Sequence, residues 1–149
     1  MDLINTGVNI IAFKKFGKIF AMSCSTTMQI EKDEFYVLLN IDSDTCANIE
    51  LKDFVGVSSL SDKQIDIALK LGKDHSLSKN KIENIDYFTD NMAVLIKNAK
   101  VMMKCEVISI SHLNKDKSKK LILLRTINVQ ENKDLSFLSI ENVIEKPYL

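Results

Sequence analysis

The side chains with the most chemical potential lie in two nearby runs, Ala21–Thr26 (AMSCST) and Ser43-Asp44-Thr45. Ser23, Ser25 and Thr26 place hydroxyls on a predicted strand and its exit, and Ser43 and Thr45 open a predicted short helix. Hydroxyls beside free backbone N–H groups are a common cradle for phosphate, so the pattern points to a phosphorylated small molecule or cofactor. Asp42 and Asp44 stand in the same run. Carboxylates at contact distance repel a phosphate unless they turn away or act as caps.

The other reactive types suggest less. Cys24, Cys46 and Cys105 lie far apart, with no Cys-Xaa-Xaa-Cys spacing, which argues against a disulfide framework or a metal site. Cys105 alternates with Met103 and Val107 and reads as a small core hydrophobe. Cys24 and Cys46 flank the hydroxyl runs, but a thiol nucleophile needs a base, and neither His75 nor His112 is near them in sequence. His75, Lys79 and Lys81 fall on a long polar excursion and read as solvated loop residues. No catalytic side chain is assigned.

The chain that must position these groups has 149 residues, 46% of them hydrophobic, enough for one domain over 1–149 with a real core. Twenty basic and twenty acidic residues cancel, leaving no overall field to draw in nucleic acid or an anionic membrane. The start, MDLINTGVNIIAF, lacks a basic region ahead of an apolar run, and no later run approaches the roughly 18 apolar residues of a membrane span. A reducing cytoplasm is the expected location.

Val8–Phe13 and Lys18–Ser23 predict two strands joined by a hairpin at Lys14–Gly17. Ser25–Ile30 extends further, Glu31–Glu34 is a charged turn, and Phe35–Ile41, apolar throughout, predicts a strand covered on both faces. A short helix to about Leu51 and a strand over Asp53–Leu60 follow. Ser61 with Gln64 forms a capping box for a helix carrying Ile65, Ala68 and Leu69, with Gly72 placed to end it. Lys73–Asp90 is the polar excursion and leads through Met92–Ile96 into a long alternating strand over Val101–Ile110. His112–Lys120 predicts a hairpin loop, Leu121–Val129 the returning strand, and Phe137, Leu138 and Ile140 a final strand or cover. Six or seven closely spaced strands and one or two helices predict a mostly β protein, an antiparallel barrel.

The order of these pieces resembles the flavin reductase-like family, proteins with an FMN-binding split barrel. The resemblance rests on Thr6-Gly7-Val8, AMSCST at Ala21–Thr26, Ser43-Asp44-Thr45 followed by Ile49, DFVGVSSLSDKQIDIALKLGKD at Asp53–Asp74, KIENIDYF at Lys81–Phe88, and MAVLIKNAKVMMKCEVISI at Met92–Ile110. It implies an antiparallel split β-barrel and a homodimer with FMN at the subunit interface. It also implies that Ser23, Ser25 and Thr26 line the flavin and that Ser43 and Thr45 hold its phosphate. Relatives often carry a diproline where Glu34-Phe35 stands here, and a histidine where Lys119-Lys120 stands. The expected function is an FMN-binding oxidoreductase fed by NADH, NADPH or a protein donor. The alternatives are a non-catalytic flavin-binding electron carrier and a flavin-free split-barrel dimer.

Overall fold

The computed structural model describes residues 8–24, 27–40, 44–73, 84–113 and 119–138. In chain order the elements are β1 (Asn9–Lys15), β2 (Lys18–Cys24), β3 (Thr27–Gln29), β4 (Glu34–Asn40), α1 (Asp44–Asn48), β5 (Phe54–Ser59), α2 (Ile65–Lys73), β6 (Tyr87–Asp90), β7 (Ala93–Ile96), β8 (Val101–Leu113) and β9 (Lys119–Glu131). The predicted mostly β, antiparallel class is what is found. The ladders run β3-β4-β9-β8-β5-β1-β7-β6, with β2 on the remaining edge of β1.

The β1–β2 hairpin turns at Phe16 and Gly17, both at positive φ (57° and 71°), the backbone that matches the twist of the flanking strands. Phe16 thus shares the left-handed position expected of glycine alone. Among the described residues no ladder joins β2 to β4. Instead, the Cys24 thiol donates a long bond of 3.7 Å to the Leu38 carbonyl across that gap.

Strand alternation builds two cores from one sheet. Phe13, Phe20, Val37, Val57, Met103 and Leu124 are among the side chains that fill the barrel. On the outer side, Ile10, Ala12, Ala21, Val94 and Ile96 pack against Leu60, Ala68 and Leu71. The outer layer lies close to the sheet: a Cβ at Gly56 of β5 would sit 1.9 Å from the Val94 carbonyl oxygen of β7. There Ser58 Oγ also accepts the Ile96 N–H at 2.9 Å.

Several expectations shift at their edges. In β4, Phe35, Val37 and Leu39 are buried, whereas Tyr36 and Leu38 are only half-covered, so the strand is fully covered on one face rather than both. The Gln64 Oε1 does accept the Ser61 N–H at 3.0 Å, but the pair closes a turn of its own and α2 begins only at Ile65. The Gln64 Nε2 meanwhile donates to the Lys97 carbonyl at 2.8 Å, so this residue anchors the turn to the β7–β8 connection. As described, α2 runs one residue past Gly72, to Lys73. Both strands of the last hairpin extend into the expected loop, β8 through Leu113 and β9 from Lys119, because His112 and Lys120 are already paired. Phe137 bridges Ser61, and the Leu138 N–H bonds the Leu60 carbonyl at 2.9 Å, so this segment covers the outer core. Ile140 lies outside the described residues. Among those residues, no helix is long and apolar enough to cross a membrane.

Candidate functional site

Of the two hydroxyl runs, Ser23 and Thr45 are described, and the elements that carry them touch. Strand β2 ends at Cys24, β4 ends at Asn40, and α1 packs on β2. Ser23 is half-buried on the β2 face it shares with Ala21 and Ile19, opposite Cys24. Thr45 is 0% exposed, and its Oγ1 is buried with no hydrogen-bond partner among the described residues. Leaving a hydroxyl so placed costs about 1–3 kcal/mol, which a bound acceptor or donor would return. Ser25, Thr26, Ser43 and Asp42 lie outside the described residues, as do His75, Lys79 and Lys81.

Two cations hold α1 in place. Lys15, at the end of β1, donates to Asn48 O at 3.0 Å, Glu50 Oε1 at 2.5 Å and Asp53 Oδ2 at 2.8 Å, pinning the segment after α1. Burial alone would depress the Lys15 ammonium, but its hydrogen bonds to Asp53 and Glu50 outweigh that and hold it above its ordinary value. Glu50 is held below its ordinary value, first by its hydrogen bond to Lys15 and then by the Lys15 charge.

The stabilisation from Glu50 is fully present above its ordinary pKa of 4.5 and is lost as pH falls through the lowered one. That from Lys15 is fully present below 10.5 and is lost as pH rises through the raised value. A Lys15→Met variant is therefore expected to melt below the unsubstituted protein at neutral pH, with the gap narrowing in acid and in strong base. Thermal melts across pH check this, and a gap that stays constant into acid would remove the cluster as its source.

The second cation is Lys120, whose Nζ donates to the Cys46 carbonyl of α1 at 2.9 Å. The sequence carried a signal for it. Ile122 and Leu124 are buried in the barrel, so Lys120, two residues earlier on the same face, enters at the rim.

The three cysteines are buried as expected of core residues. Burial pushes the Cys105 thiol up to about 12, with its hydrogen bond to Thr126 opposing the shift only in part. Burial also raises Cys46, against the pull of the Lys120 charge. Neither Cys46 nor Cys105 is an activated nucleophile. Among the described residues, no three His, Cys, Asp or Glu side chains gather as metal ligands. A separate groove of about 220 Å³ lies between the β6–β7 hairpin and the β8–β9 ribbon, lined by Phe88, Asp90, Leu95, Met102, Lys104 and Asn128 among others. Its lysine is already occupied, 3.1 Å from Asp90 Oδ1 and 5.0 Å from the Phe54 ring centroid.

A family model described as flavin reductase like domain matches residues 1–140. The chain belongs to this family. No curated protein sequence matches it. Among solved structures, this flavin reductase-like domain is similar to a putative flavin reductase of Haemophilus somnus (TM-score 0.77, 12% identity, 87% of this chain and 82% of that one). It is also similar to an NADH:FAD oxidoreductase of Streptomyces globisporus (0.78, 14%, 88% and 78%). An FMN-binding protein of Thermus thermophilus, solved with bound 1-cyclohex-2-enone, aligns at 0.74 with 13% identity over 84% and 70%. At such identities these likenesses establish the fold. The split-barrel architecture expected from the motif order is thereby borne out.

Proposed function

We propose that this flavin reductase-like domain binds FMN at the α1 rim and is an oxidoreductase that passes electrons through it, taken from NADH, NADPH or a protein donor. The family match over residues 1–140 carries the reading. Names among the structural neighbours agree with it in general terms, one being an NADH:FAD oxidoreductase and another an FMN-binding protein. When bound, the flavin supplies the hydride- and electron-accepting chemistry, and the protein supplies binding and orientation. The orphaned Thr45 hydroxyl fits a ligand acceptor, with Ser43 beside it in sequence for the phosphate. Ser23, Ser25 and Thr26 would line the flavin from the exit of β2. The buried thiols supply no acid or base, and this reading asks for none.

Two copies would complete the site. Met28, Tyr36, Leu38, Leu121 and Leu123 share the outer face of β3, β4 and β9 through direct pairings, and none is fully buried in the lone protomer. A second copy on this face would explain why β4 carries Tyr36 and Leu38 on its outer side, and light scattering at the dimer mass would support it. Three buried thiols suit a reducing compartment such as the cytoplasm.

The experiment that tests the activity is anaerobic mixing of the protein and FMN with NADH or NADPH. Rapid bleaching of the flavin's visible absorption supports the reductase. Bound flavin that stays oxidised selects the alternative of a non-catalytic electron carrier, and failure to bind flavin selects the flavin-free dimer. A second prediction isolates Thr45. Thr45→Val removes an unsatisfied buried hydroxyl and should raise the ligand-free stability by about 1 kcal/mol, while reducing the stabilisation that FMN confers. Paired melts with and without FMN check both signs.

A further inference from the structure

Resting on the flavin reading above, we infer that Lys120 and His112 form the hydrogen-bonding contact for the ligand's phosphate, a pair the motif order does not assign. The ladders place Leu39 of β4, Lys120 of β9 and His112 of β8 in one cross-strand row. Directly paired residues present their side chains to the same face, with Cβ atoms about 4.5–5.5 Å apart. That face is the barrel's inner one, because the preceding pair on it, Ile110 and Ile122, packs with the core. The last step of the apolar lining is therefore basic. It lies at the rim where β4 ends and α1 begins.

The surrounding charges leave this row able to take an anion. Lys120 is half-buried, and among the described residues its partner is the neutral Cys46 carbonyl, which uses one of three ammonium donors. One carboxylate its field reaches, Glu50, is already bound by Lys15 at 2.5 Å, and Asp44 lies two residues before Cys46 on α1 with an interaction of its own. A partly desolvated cation facing a neutral partner gains from an anion that completes its shell. Thr45, the residue before Cys46, holds the buried hydroxyl with no partner among the described residues, so an unspent polar group lies next in sequence to the carbonyl that Lys120 grips. A phosphate suits both groups: it accepts from the ammonium and from the hydroxyl. His112 is exposed beside Lys120 and adds a donor from the open side.

The test is a fluorescence titration of the full chain with FMN, FAD and riboflavin, for the unsubstituted protein, Lys120→Met, Lys120→Arg and His112→Gln. Lys120→Met should weaken FMN about 10- to 100-fold, the range of a hydrogen bond to a charged group, and leave riboflavin within about twofold. Lys120→Arg should keep most of the FMN affinity, and His112→Gln should cost a smaller factor on FMN alone. Loss for FAD as well assigns the contact to phosphates generally, whereas loss for FMN alone assigns it to the monoester. Equal loss of FMN and riboflavin in Lys120→Met, or no loss of either, overturns the inference and leaves Lys120 as a brace for α1. An unsubstituted protein that binds none of the three flavins overturns the flavin reading as well, so the two failures are distinct. Melting of each variant without ligand shows whether it is folded.

Discussion

Gly56→Ala is expected to lower stability by about 3 kcal/mol, a fall in melting temperature of about 6–12 °C for a chain of this size. The reason is a backbone approach rather than backbone freedom. The added Cβ would lie 1.9 Å from the Val94 oxygen and 2.6 Å from the Val94 carbonyl carbon, and neither belongs to a side chain that can rotate away. Relief requires β7 to lift from β5. That would stretch the bond from the Ile96 N–H to Ser58 Oγ and open the outer core around Val94 and Ile96. Gly17→Ala supplies the contrast: nothing lies within 4 Å of its Cβ, so only the positive φ of 71° opposes it, at about 1–2 kcal/mol. Thermal melts of both variants check the ranking. A Gly56→Ala loss below that of Gly17→Ala would mean that β7 does not cross β5 at contact.

Phe13→Ala is expected to cost about 3–5 kcal/mol. Phe13 is fully buried, and its ring centroid lies 5.3 Å from that of Phe20 at an interplanar angle of 24°. It also occupies the point where β1 pairs with both Phe20 of β2 and Ala93 of β7. Truncation opens a cavity inside the barrel beside a junction that cannot collapse without moving two ladders. Phe16, three residues on, is 80% exposed at a φ of 57°. Phe16→Asn removes no core and places a residue tolerant of that backbone, so it is expected to be neutral or slightly stabilising. Denaturant titration of the two variants separates aromatic burial from aromatic presence. Similar losses at both positions would contradict the placement of Phe13 in the core.

The strands were legible because burial and sequence share one period. Val101, Met103, Cys105 and Val107 alternate with half-exposed residues, and the structure buries that set. The sequence could not show what crosses a strand: Gly56 reads only as a glycine in an apolar run, and the reason for it is a carbonyl from a hairpin nearly forty residues away. The start of α2 shifted for a similar reason, since both ends of the Gln64 amide are engaged, one with Ser61 and one with Lys97.

The site was legible by element and less so by residue. The elements expected to carry the hydroxyls, β2 and α1, do pack on each other. Thr45, however, is turned inward with Cys46 and Ile49 rather than standing open at the helix start. Lys120 was hidden by its company. In a run of lysines it resembles a solvated hairpin tip, and only the alternation with Ile122 and Leu124 shows that it belongs to the inner face.

The most direct test of the central claim is titration of FMN into the purified full chain, followed by flavin fluorescence and by the melting temperature. The account predicts saturable quenching, a melting temperature that rises with FMN concentration, and a smaller rise with riboflavin, which lacks the phosphate. FMN fluorescence and melting temperature that do not change at any concentration would contradict it.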